Sequence, residues 1–196
     1  MDRLTLTDDE AVSLAASGRG RWMGALPTVD ETDTELLLQA AARGTRSLSL
    51  RRDVDQGVRD TDLVRSVIDA LPLAVLYATA SDDLAPRGAT CMIFRSRLHP
   101  DERVLSVTTA GGVTQLRAQT RDEGRAFAER FAGAVHGENH ESPAAAVLLF
   151  PGGAEGGDVM VVTRDGATRE SYTTASGFSR LGERVQDWAA EIAARI

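Results

Sequence analysis

VLSVTTAGGVTQLRAQTRDEGRAFAERFAGAV, residues 104–135, carries three structural signals in one run. Arg103–Ala110 and Val113–Gln119 have the length and the Val, Thr and Leu content of strands. Gly111-Gly112 between them is a tight-hairpin signal, because such turns need residues that accept positive φ. Thr120 and Glu123 then stand at capping-box spacing. Phe127 and Phe131 follow four apart, on one face of a helix predicted over Arg121–Val135. A hairpin that feeds an amphipathic helix predicts an α+β fold, a mainly antiparallel β-sheet flanked by helices.

The same order recurs downstream. VMVVTRDGATRESYTT, residues 159–174, aligns without a gap 55 residues after VLSVTTAGGVTQLRAQ, matching Val104 with Val159, Val107 with Val162, Thr108 with Thr163 and Gly111 with Gly166. This reads as an internal duplication, as two similar hairpin–helix units in a quasi-twofold repeat around one sheet, or as coincidence. Further strands are predicted at Leu73–Ala80, Ala89–Arg95, Ala144–Phe150, Asp158–Arg164 and Ala167–Thr174, with Asp165-Gly166 as a second hairpin turn. The last helix is predicted over Gly177–Arg195, from the stripe Phe178, Leu181, Val185, Trp188 and Ile192.

Upstream, Thr7–Ala16 reads as a capped helix and Gly18 as its stop. A second helix starts near Asp30 or Thr32, runs through Glu35–Arg43 and stops at Gly44. Thr45–Arg51 alternates like a half-buried strand, and Asp60–Leu71 returns to helical spacing before Pro72. The chain is expected to be one domain over residues 1–196. A helical part at 1–72 would precede two similar halves at about 73–135 and 144–196.

Every one of the 22 basic residues is an arginine. Schiff-base, pyridoxal-phosphate, Walker-type ATPase and protein-kinase chemistries each need a lysine at a fixed place and are excluded. The net charge of −7, with arginines scattered among acids and 5% aromatic residues, argues against nucleic acid as a partner. The basic group Arg43, Arg46, Arg51 and Arg52 reads as a solvated face with local ion pairs. No apolar run is long enough to span a membrane, so no membrane insertion is expected. An acidic start instead of a signal-peptide core predicts a cytoplasmic protein.

No catalytic, cofactor-binding or metal-binding constellation emerges. His136, His140 and Glu141 are close in sequence, but Gly137, Asn139 and Pro143 make this segment a surface loop. Cys91 lies in an apolar run and reads as core. Gly152–Gly157 lacks phosphate-loop spacing and opens a strand, not a helix. Ser176 before Gly177 has the look of a helix N-cap. The paired acids Asp8-Asp9, Asp82-Asp83 and Asp53/Asp55 fall in turns or helix starts. What remains is apolar material outside periodic elements. Trp22, Met23 and Leu26 are candidate protein-binding residues, followed by Leu84 and Pro86. The alternative for Trp22 is that it closes one edge of the core.

LTLTDDEAVSLAA (4–16), the irregular stretch ending at Leu26-Pro27, AARGTRSLSLR (41–51) and the hairpin–helix run together resemble the EspG family. These are cytosolic chaperones of actinobacterial type VII secretion. The resemblance implies quasi-twofold halves about an antiparallel sheet, no cofactor and a secreted helical client of the PE/PPE kind. Relatives shield the client's apolar tip through a sheet loop and C-terminal helical elements. This chain is shorter than typical members, a shortfall expected in linking helices. Two other classes stay open: a ligand sensor or enzyme with a pocket near Arg46, Arg95 and His136, and a self-associating domain that forms a homodimer through a sheet edge.

Overall fold

The computed structural model describes residues 3–51, 62–78, 89–133, 146–153, 156–163, 165–173, 177–178 and 183–196. Ahead of the first helix lies a strand that the sequence did not announce, β1 (Arg3–Thr7). Helix α1 (Asp8–Ser17) follows at once, with Thr7 as N-cap and the capping box to Glu10 formed in both directions. Helix α2 (Thr34–Leu50) is capped by Asp33, and α3 (Asp62–Arg65) is a single turn.

Four strands then run in succession: β2 (Ala74–Ala78), β3 (Thr90–Arg95), β4 (Glu102–Thr108) and β5 (Val113–Thr120). They feed α4 (Arg121–Gly133), whose capping box joins Thr120 and Glu123. Next come β6 (Ala146–Pro151), β7 (Gly156–Thr163), β8 (Gly166–Thr173), β9 (Gly177–Phe178) and β10 (Glu183–Val185). Helix α5 (Trp188–Arg195) ends the described chain, with Asp187 as its N-cap.

All described strands join one antiparallel ten-stranded sheet, ordered β1-β5-β4-β3-β2-β6-β7-β8-β10, with β9 on β8. The α+β class and the antiparallel pairing hold. The order reads as two four-strand meanders back to back, β5-β4-β3-β2 and β6-β7-β8-β10, each feeding a helix. A local twofold between β2 and β6 would relate β4 to β8 and β5 to β10. The 55-residue match instead pairs β4 with β7 and β5 with β8, so it is not the correspondence this order offers.

Strand alternation sends side chains to two cores. Leu76, Cys91, Ile93, Leu105, Leu148 and Met160 meet Phe127 and Phe131 of α4 and Ile192 of α5 on one face. The two phenylalanine rings lie 6.2 Å apart, as their four-residue spacing requires. On the other face, Leu6, Phe94, Val104 and Leu116 pack against Leu14 of α1, Leu48 of α2 and Leu63 and Val64 of α3.

Three readings are corrected. Thr45–Arg51 is not a strand, because α2 runs through Gly44 to Leu50. Gly44 is the crossing point with α1, where a Cβ would sit 1.9 Å from the Asp9 carbonyl oxygen. The glycine serves a close helix contact and not a helix stop. The helix predicted over Asp60–Leu71 covers only Asp62–Arg65 of the described residues. Ile68 then forms an isolated antiparallel bridge with Trp22, and Asp69 adopts a φ of 54°. The final helix begins at Trp188, not Gly177. Of the stripe, Val185 on β10 and Trp188 and Ile192 on α5 face the α4 core, while Leu181 and the Phe178 side chain lie outside the described residues.

Candidate functional site

Trp22, Met23 and Leu26 serve the second core. Trp22 is 3% exposed and Leu26 8%. Met23, partly buried, donates its backbone N–H to Val67. The irregular stretch is thus fastened to the segment after α3, with Trp22 and Leu26 in the second core and Met23 packed against it. Leu84, Pro86, His136, His140, Glu141, Arg52, Asp53, Asp55, Asp82, Asp83 and Ser176 lie outside the described residues. Cys91 is buried among the sheet residues beneath α4.

Two arginines, Arg43 in α2 and Arg51 at its C-cap, are held by the N-terminal elements β1 and α1. Arg43 grips Asp9 through two hydrogen bonds of 2.7 and 2.8 Å. Arg51 bonds both Glu10 and the Thr5 carbonyl. Arg46 and Arg95 do not share a pocket. Arg46 is on α2, over the second face, whereas Arg95 pairs in register with Arg103 on the α4 face. Gly152 and Gly156 close the β6–β7 turn by a 2.8 Å backbone hydrogen bond.

The most organised surface feature is the turn between β3 and β4. Asp62, at the start of α3, accepts from the Ser96 and Ser66 hydroxyls and from the backbone N–H groups of Arg97 and Leu98. Ser66 also accepts from the Arg97 N–H at 2.9 Å, and Ser96 from the His99 N–H at 2.8 Å. Burial alone would push the Asp62 carboxyl up. The Ser96, Leu98, Ser66 and Arg97 donors outweigh it and hold the group below the usual carboxylate range.

This clamp presents Arg97 and Leu98 to solvent, Leu98 being 54% exposed. Beside them a cleft of about 490 Å³ runs to the end of α1. Leu14, Ile68 and Leu98 line it together with Ser17, Gly18, Arg65 and Arg97. Just past α1, Arg19 takes a left-handed φ of 55°.

A second groove, of about 520 Å³, opens at the same end of the sheet, where β3 and β6 finish and β2, β4 and β7 begin. Leu71, Pro72, Phe150 and Pro151 line it beside Arg195 and Asp158. Its charges are consumed internally. Arg195 lies over the Phe150 ring at 4.9 Å and pairs with Asp158 at 2.7 Å and Glu191 at 2.8 Å, which ties α5 to the sheet. Hydrogen bonding to Arg195 leads the effects that hold Glu191 below its ordinary value. The Arg97 guanidinium, by contrast, has no carboxylate partner among the described residues.

The sequence reading missed this cleft because its parts come from three segments. The available signals were Leu98, an aliphatic residue in the polar run RSRLHPDE, and Asp62 and Ser66 one helical turn apart. Among the described residues no group of three His, Cys, Asp or Glu is arranged to hold a metal ion. None of the described helices is long and apolar enough to cross a membrane. The chain matches no protein-family model and no curated protein.

Proposed function

We propose that this chain is a non-enzymatic protein-binding module, an EspG-like chaperone that receives a secreted helical client in the cytoplasm. The observation that carries the reading is the sheet itself, two four-strand meanders each feeding a helix onto one face. Such strand–helix units about an antiparallel sheet are what the sequence resemblance implies. Exposed aliphatic side chains at one end of that sheet, Leu71 and Leu98 at 54% each, add apolar contact area of the sort protein interfaces use. The client recognised by this chemistry is helical, with apolar residues to bury and acidic residues to pair with arginine.

Affinity capture of the tagged chain from its native cytosol, followed by reconstitution with the purified retained protein, tests the proposal. A one-to-one complex with a small secreted helical protein is expected by light scattering. Recovery of the chain alone, with no stoichiometric partner, overturns it.

A further inference from the structure

Arg3 and Arg117 stand directly opposite each other in the antiparallel register of β1 and β5. Like charges at such a pair repel, and an acid on the same face would relieve them. These strands offer none. Leu4, Leu6 and Leu116 turn to the second core, so the other face of the pair carries Arg3, Thr5, Gln115, Arg117 and Gln119 and no carboxylate. On β4 the same face continues with Arg103 and Leu105, again without an acid.

A neutral amide holds the two guanidinia together. The Gln115 side-chain oxygen, Oε1, accepts from Arg3 Nη2 at 2.6 Å and from Arg117 Nη2 at 3.2 Å. These bonds fix the charged groups themselves, and they put a single oxygen within reach of both cations. Gln115 brings no charge to offset them. Arg117 Nε is buried without an acceptor among the described residues, and neither guanidinium pairs with a carboxylate among them. Elsewhere this chain of net charge −7 matches arginines with acids: Arg43 with Asp9, Arg51 with Glu10 and Arg195 with Asp158.

An external anion supplies what this pair lacks. A carboxylate matches one guanidinium through two parallel bonds and brings one charge. A tetrahedral dianion brings a charge for each arginine and oxygens that point in several directions. Arg3 is exposed on the edge strand, which leaves the approach open.

We propose that Arg3 and Arg117, bridged by Gln115, form a binding site for a doubly charged tetrahedral oxyanion of the phosphate or sulfate type, free or as a phosphate ester on a small molecule. The anion ties the edge strand β1 to β5. The site goes beyond the protein-binding reading and does not depend on it.

Isothermal titration calorimetry of the full chain tests this, at pH 8 and constant ionic strength with chloride as the background anion. Inorganic phosphate and sulfate should each bind saturably, at least about tenfold more tightly than acetate. Phenyl phosphate separates the two sources. Binding as tight as that of inorganic phosphate supports a site open to esters, and loss of binding supports a site for the free ion. Arg3→Gln, at an exposed position, and Arg117→Gln should each weaken phosphate about tenfold or more. Gln115→Glu distinguishes a ligand site from a structural contact. It keeps an acceptor for both guanidinia and adds the missing charge, so it should abolish phosphate binding and raise the melting temperature in phosphate-free buffer. Phosphate should raise the melting temperature of wild type and leave that of Gln115→Glu unchanged. Phosphate and sulfate bound no better than acetate, or Arg3→Gln and Gln115→Glu variants that bind phosphate like wild type, would overturn the proposal.

Discussion

Gly44 shows how one residue type can be misread when its partner is distant in sequence. In the chain it follows Arg43 and precedes an alternating stretch, which is how a helix stop looks. In the fold it is the point where α2 touches the backbone of α1. Gly44→Ala is expected to cost about 1–3 kcal/mol by forcing the two helices apart, read as a lower denaturant midpoint. An unchanged midpoint would mean that the crossing yields without cost. Asp62 makes the complementary case, a polar residue whose worth comes from donors on other segments. Asp62→Asn should cost about 1–3 kcal/mol, because donors that now share two carboxylate oxygens would share one amide oxygen. Its folded-state carboxyl titrates below its ordinary value of 3.8. The stability this contributes is therefore complete above that value and lost as pH falls through the lower folded one. Acid titration of wild type should show that extra loss below pH 3.8, and the Asn variant should lack it.

Among the elements, those with local signals were legible and those made by long-range contact were not. Capping boxes at Thr7/Glu10 and Thr120/Glu123 located the starts of α1 and α4, because both partners lie within one turn. Strand β1 carried no such mark, since a five-residue run becomes a strand only when β5 accepts it. The α2 C-terminal half failed for a related reason. Leu48 and Leu50 look alike in an alternating pattern, yet Leu48 is buried and Leu50 is 82% exposed. The candidate cleft was illegible because α1, α3 and the β3–β4 turn each supply only a fragment of it.

The edge strand β1 is guarded by Arg51, whose guanidinium covers the Thr5 carbonyl while neutralising Glu10, itself 1% exposed. Arg51→Ala should therefore cost a few kcal/mol and, in the folded fraction, favour concentration-dependent association through β1. Sedimentation velocity on the variant checks this, and a stable monomer at all concentrations would show that the edge has other protection. At the far end of the chain, Asp187→Ala should cost about 1 kcal/mol by uncapping the short helix α5.

At the scale of the whole molecule, one sheet joins two cores, and both are tied to the same end of it. Arg103, buried at the start of β4, donates to the Ile196 carbonyl just beyond α5. Burial, with Arg121 and Arg95 nearby, lowers the affinity of that guanidinium for its proton. Arg103→Met is expected to release α5 and lower the melting temperature by several degrees, seen by calorimetry. The strand order also places β1 beside a strand made much later in synthesis. Arg3 and Gln115 meet across 112 residues. While the chain is being made, β1 must wait beside α1 until β5 has left the ribosome. A nascent chain halted before Val113 therefore has α1, α2 and the strands β2 to β4, but lacks the β5 that joins β1 to them and brings Leu116 to the core beneath the helices. Its exposed leucines would then be the chain's first need for a chaperone of its own.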